Sequence, residues 1–190
     1  MFVLHIYLSL TSIAGYTGVM KRVGIFAGTF DPVHEGHIAF ALHAAQHCQL
    51  DAVYLMPERQ PRRKYNVSDI SVRLQLIQQR TAKHTNLDTL MFDESQFSVQ
   101  TTLPALQSRF PDAQLVFLIG SDVACDSLAH WDELGTLART VEFVVGVRNT
   151  HDNEVVAHSL QAIVDMSIPL HYSVVASPHA HLSSSMMRDR

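Results

Sequence analysis

Gly28-Thr29-Phe30-Asp31-Pro32-Val33-His34-Glu35-Gly36-His37 is the stretch on which the reading of this chain turns. It follows Val23-Gly24-Ile25-Phe26-Ala27, a nearly all-apolar run of the kind that forms a parallel strand buried on both faces. Gly28, Asp31 and Pro32 break the strand, and beyond Gly36 the residues Ile38, Phe40, Ala41, Leu42, Ala44 and Ala45 recur at helical spacing. The order is therefore strand, tight loop, helix. A helix entered from a glycine-containing loop presents free backbone N–H groups and the positive end of its dipole, which suits phosphate. His34 and His37 lie three apart, so on a first helical turn they share a face and both can donate to phosphate oxygens. The alternative is that they are surface residues beside a loop, incidental among the chain's 12 histidines.

Outward from this stretch, 190 residues with 47% apolar composition and a formal charge of −4 suit one cytoplasmic globular domain with a sizeable core. There is no strongly basic balance to suggest bulk nucleic-acid binding. Cys48 and Cys125 lack the CxxC spacing of a zinc site and are too few for a disulfide framework. Residues 1–19 are apolar in part, but they lack the basic segment of a secretory signal, and His5, Ser9, Thr11, Ser12 and Gly15 weaken a membrane span. Met20-Lys21-Arg22 reads as the working start, with 1–19 a leader outside the fold and 20–190 a single domain. No membrane partner is expected, and self-association is compatible with the sequence.

Further strands are expected at 51–56, 87–92, 114–120, 141–147 and 171–176, with helices between them. Ser68 is a cap for a helix over 69–84 whose apolar face is Val72, Leu74, Leu76 and Ile77. Thr101 or Thr102 caps a helix ending near Phe110, and a helix over 154–166 turns Val155, Val156, Leu160, Ile163 and Val164 inward. Strict alternation of strand and helix argues for an α/β fold with a doubly wound parallel sheet. The loop 58–66 carries Arg59, Arg62, Arg63 and Lys64 at the C-terminal end of a strand, where open α/β sheets bind ligands; otherwise it is a solvated connection. Gly120-Ser121-Asp122 forms a second strand-to-helix junction, and Trp131 follows it. Near the end, Ser183, Ser184 and Ser185 with Arg188 read either as a second phosphate-binding helix head or as a frayed tail.

Two segments carry a resemblance. Gly28 to His37 resembles the GxFxPxHxGH signature of the HxGH nucleotidyltransferase superfamily, and Leu182 to Arg188 resembles its ISSTxxR motif. Over about Lys21 to Arg188 the chain is most similar to the bacterial nicotinate (nicotinamide) mononucleotide adenylyltransferases. Phe97 to Leu106 resembles their SYTxDTLxxL segment, and Phe110-Pro111-Asp112 with Phe117 to Asp122 resembles FPD…FIIGxD, followed by Trp131. Phosphopantetheine adenylyltransferases usually have TxGH, and cytidylyltransferases lack the Ile119 to Trp131 region. The chain departs from the family in Gln60-Pro61-Arg62-Arg63-Lys64, which stands where PPHK is usual, in Val99 for tyrosine and in Thr101 for aspartate. It also ends at Arg190, where relatives continue into a helical extension.

The resemblance implies a Rossmann-like nucleotidyltransferase (HUP-type) fold and adenylyl transfer from ATP to nicotinate mononucleotide, with release of pyrophosphate. It implies His34, His37, Lys64 and Arg188 as catalytic residues. ATP would meet Gly28, Thr29, Phe30, His34, Gly36, His37, Gly120, Asp122, Ser183, Ser184, Ser185 and Arg188. The mononucleotide would meet Arg62, Arg63, Lys64, Thr101 and Trp131, although Trp131 also reads as a core or lid residue. Mg²⁺ would come with ATP rather than sit in a protein cage. The competing readings are transfer to another phosphorylated acceptor and a nucleotide-binding regulator with little turnover.

Overall fold

The computed structural model describes residues 20–62, 64–147 and 150–177. The strands β1 (Arg22–Gly28), β2 (Ala52–Pro57), β3 (Leu87–Thr89), β4 (Gln114–Gly120), β5 (Glu142–Val147) and β6 (Tyr172–Ala176) form one sheet in the order β3-β2-β1-β4-β5-β6. All five pairings are parallel. This is the doubly wound α/β arrangement expected from the alternation, and its order reverses between β1 and β4.

The central strands are apolar throughout because both faces are covered. In β4, Leu115, Phe117 and Ile119 join one core, with Leu103, Leu106, Leu128, Leu137 and Leu160, while Val116 and Leu118 join another beneath helix α1 (Glu35–His47). The same helix supplies Ile38, Phe40, Ala41, Ala44 and Ala45 to that second core, where Ile77 of α2 (Ile70–Thr81) joins them. Gly146 of β5 lets α1 lie close: a Cβ there would stand 2.8 Å from Cε2 of Phe40. Phe40 is itself buried and held edge-on by Phe26 at 5.3 Å, so it cannot swing aside. Gly146→Ala is therefore expected to cost roughly 1–3 kcal/mol by overpacking, read as a melting temperature lower by several degrees. An unchanged melt would show that α1 yields there.

The remaining helices are α3 (Thr102–Arg109), α4 (Ser121–Asp126), α5 (Leu134–Ala138) and α6 (Thr150–Asp165), with a 3-10 turn at Leu128–His130. Several expectations need correction. Strand β3 is three residues long, not six, because the chain beyond it leaves the sheet to bond the loop after β2: Arg59 Nε donates to the Phe92 carbonyl at 3.2 Å. Helix α2 is capped by Asp69 rather than Ser68, because the helix begins at Ile70 and the Asp69 carboxylate accepts from the Ser71 N–H at 2.7 Å. Its Val72 is 49% exposed, while Arg73 turns inward at 1%. Helix α6 starts at Thr150 rather than 154, and it buries Val156, Leu160 and Ile163, leaving Val155 and Val164 exposed. The helix expected at the Gly120-Ser121-Asp122 junction is present as α4 but ends at Asp126, and α5 was not anticipated. Residues 1–19 lie outside the described residues, and among the described residues no helix is long and apolar enough to cross a membrane.

Candidate active site

The ladder between β1 and β4 runs from Arg22 opposite Gln114 to Ile25 opposite Phe117 and stops there, although both strands continue. Their C-terminal ends, Phe26 to Gly28 and Leu118 to Gly120, thus diverge into a crevice where the sheet order reverses. Ligands of open α/β sheets bind in this place.

The loop from β1 into α1 forms one wall. His34 is the residue before the helix, in extended conformation, and His37 lies in its first turn. The two rings meet at 3.7 Å with 30° between their planes. The His34 backbone N–H donates to Nδ1 of His37 at 3.2 Å, so Nδ1 carries no proton and Nε2–H is the ring's remaining donor. Phe30 presses its ring edge-on against His37 at 5.1 Å from a left-handed backbone, with φ of 49°. Burial, then the His34 and Lys64 charges, lowers the His37 pKa to about 3. His37 is a neutral donor at neutral pH.

The opposite wall is the turn from β4 into α4. A Cβ on Gly120 would lie in contact with Oδ1 of Asp122, so only glycine lets that carboxylate fold back over the turn. Gly28 plays the same part on the first wall, where a Cβ would stand 3.1 Å from Cζ of Phe30.

The cationic loop divides its side chains. Arg59 is spent on the Phe92 carbonyl and Asp93, and Arg62 donates to Gln96 Oε1 at 2.9 Å and to the Phe97 carbonyl at 3.3 Å. Lys64 is exposed and near enough to His37 to bear on its charge. Arg62 also lines a cavity of about 220 Å³ with Phe97, Ser98, Val99, Gln100, Trp131, Asp132 and Glu133. Trp131 and Phe97 stand there 6.4 Å apart at 41°. Burial pushes the Glu58 carboxyl up from its ordinary range, beneath this loop.

The structure thus brings Gly28, Thr29, Phe30, His34, Gly36 and His37 to one wall of the crevice, with Gly120 and Asp122 on the other. Phe30 is 2% exposed and meets the His37 ring rather than the surface of the crevice. Lys64, Arg62 and Trp131 gather beside the crevice, while Thr101 is exposed at the head of α3 and its neighbours Ser98 to Gln100 line the cavity. Arg63, Ser183, Ser184, Ser185 and Arg188 lie outside the described residues. Sequence reasoning gave no role to Asp31, Glu58 or Arg73. The only signal for Arg73 was a charge inside an apolar helical face.

The fold and the crevice are those of a nucleotidyltransferase, and the Cytidylyltransferase-like family model matches residues 25–190: the chain belongs to that family. Within it the chain sits with the nicotinate-nucleotide adenylyltransferases. It is 30% identical over 176 residues to the Geobacillus thermodenitrificans protein named "Probable nicotinate-nucleotide adenylyltransferase", spanning 90% of this chain and 75% of that one. A protein of the same name from Clavibacter michiganensis is 33% identical over 134 residues, 69% of this chain. The match spans 66% of the Clavibacter protein's own length. Among solved structures, the Plasmodium falciparum nicotinic acid mononucleotide adenylyltransferase complexed with NaAD superposes with a TM-score of 0.68 at 17% identity, covering 89% of this chain and 83% of that one. At that identity the likeness speaks for the fold.

Proposed function

We propose that this chain joins ATP to nicotinate mononucleotide, giving deamido-NAD and pyrophosphate, in the cytoplasm and as a step of NAD biosynthesis. The observation that carries the reading is that one loop links two sites. Its Lys64 bears on His37 in the crevice, and its Arg62 lines the cavity that holds Trp131. A triphosphate at the first site and a flat heterocycle at the second would place two phosphates near Lys64.

In the reaction an oxygen of the acceptor's 5′-phosphate attacks the α-phosphorus of ATP. The bond from that phosphorus to the bridging oxygen breaks, and pyrophosphate leaves with the electron pair. No covalent enzyme intermediate is needed, so the protein's work is to align two anions and neutralise charge as it moves. His34, His37, Lys64 and Arg188 are the groups we assign to that charge. Gly28, Thr29, Gly36, Gly120, Asp122 and the serines 183–185 would hold ATP, with Phe30 behind them. Arg62, Arg63, Thr101 and Trp131 would hold the acceptor. Mg²⁺ would come with ATP, bound through its phosphates, since the ion keeps much of its own water.

Pyrophosphate release tests the reading, with MgATP and, in turn, nicotinate mononucleotide, nicotinamide mononucleotide, phosphopantetheine and glycerol 3-phosphate. Release is expected to be fastest with nicotinate mononucleotide. Preference for either of the last two acceptors would replace it with another transferase, and ATP binding without release from any acceptor would replace it with a regulator.

Stacking at Trp131 adds a second expectation. Nicotinate mononucleotide should quench Trp131, the chain's one tryptophan, and Trp131→Ala should raise the acceptor's KM about threefold to tenfold, the worth of one aromatic contact. Unchanged fluorescence together with an unchanged KM would remove Trp131 from the acceptor site.

A further inference from the structure

We infer that Arg73 is a positioning residue for the transfer: its buried guanidinium fixes the ATP-binding loop against the acceptor-binding loop. The inference rests on the adenylyltransferase reading above. Arg73 lies on α2 and is 1% exposed, yet it is not spent on fastening the helix to the sheet, which Ile77 and Leu76 do from the same helix. Instead Nη1 donates to the carbonyls of Thr29, at 2.8 Å, and Glu58, at 2.9 Å. Nη2 donates to the Arg59 carbonyl at 3.2 Å, and Nε to the Ser68 carbonyl at 2.9 Å.

These four acceptors belong to three segments. Thr29 is in the loop that delivers His34 and His37, Glu58 and Arg59 open the loop that carries Arg62 and Lys64, and Ser68 closes that same loop. The buried Asp31 carboxylate supplies the opposite charge and ties the same corner by accepting from the Ser68 N–H at 3.1 Å. Buried carbonyls need donors, and only a guanidinium offers five N–H groups in one rigid plane. The spacing between the two phosphate-handling loops is thereby set by the dimensions of one side chain.

In-line transfer is sensitive to that spacing. A misplacement of about 1 Å between reacting groups can cost about a hundredfold in rate even when each substrate still binds. An ammonium in place of the guanidinium keeps the charge but has only three donors and no plane, so it cannot serve all four carbonyls. Each loop then keeps its own ligand contacts while the distance between them relaxes.

Two conservative variants of the full chain test this, Arg73→Lys and Asp31→Asn. In Arg73→Lys, binding of α,β-methylene-ATP and of nicotinate mononucleotide, each titrated alone, should stay within about threefold of wild type at one site per chain, while kcat falls at least tenfold. Asp31→Asn, which keeps an acceptor for Ser68 but removes the charge facing Arg73, should show the same split to a smaller extent. It carries the test if Arg73→Lys does not fold. Normal kcat in the folded variants would overturn the inference. So would a loss of binding sites with turnover per remaining site unchanged, since that is what a merely structural residue produces. If wild type itself releases no pyrophosphate with any acceptor, it is the adenylyltransferase reading that has failed.

Discussion

His37→Ala is expected to lower kcat by roughly a hundredfold or more while leaving the KM for ATP nearly unchanged. The ring is fixed on one side by the His34 N–H at its Nδ1 and on another by the edge of Phe30. It therefore holds its Nε2–H in place before any ligand arrives, and a donor that does not have to reorganise acts most strongly on charge that grows in the transition state. Such a donor contributes about 3 kcal/mol, which is the hundredfold. An interaction made equally with bound ATP would instead appear in KM. Because its pKa is lowered to about 3, His37 stays neutral across the working range, so the pH profile of kcat should show no limb near pH 6.5 that disappears in the variant. A purified, folded His37→Ala protein that turns over normally, or whose only defect is weaker ATP binding, would refute this role.

The same ring makes the fold acid-sensitive. Above pH 6.5 His37 is neutral in both folded and unfolded chains and contributes nothing to the pH dependence. Between pH 6.5 and about 3 the unfolded chain takes up a proton that the folded chain refuses, so stability falls as pH falls. The slope from this one group approaches about 1.4 kcal/mol per pH unit, several kcal/mol over the whole window. Glu58 runs the opposite way, since its raised pKa favours the folded state at low pH and that gain is lost as pH rises through it. The comparison must therefore be between variants. His37→Asn offers Oδ1 to the His34 N–H in place of Nδ1 and does not titrate. Urea unfolding at pH 7, 6, 5 and 4.5 should show wild type losing stability more steeply than His37→Asn. Parallel lines would mean that the folded chain protonates His37 with ease.

The architecture was legible because its strands are covered on both faces, so β1, β2, β4 and β5 had to be written as nearly unbroken apolar runs. The first wall of the site was legible for a related reason: a strand end, a glycine loop and a helix start within ten residues leave little freedom. What escaped was of two kinds. The first is α5 and the early end of α4, whose start at Ser121 was expected: both helices are too short to show a helical period. The path of a charged side chain is not written in its neighbours. Val72, expected on the buried face, is exposed and Arg73 lies inside, because four backbone carbonyls, brought from three segments, gave the guanidinium more than the core could give the valine. Likewise, nothing local told that Arg59 would be consumed by Phe92 and Asp93 while Lys64 stayed exposed.

The parting of β1 and β4 also bears on when the site comes into being. The two walls belong to strands joined by a ladder that sets Arg22 beside Gln114, whereas the ladder between β1 and β2 sets Val23 beside Ala52. Pairing across the longer separation closes the larger loop and is entropically dearer, so the β1–β2 half is expected to assemble first and β4 to dock later. As the chain is synthesised, His34 and His37 emerge well before Gly120 and Asp122 exist to face them. The crevice is thus completed by a late event of folding, and a nucleotide bound across it would hold together the seam that closes last.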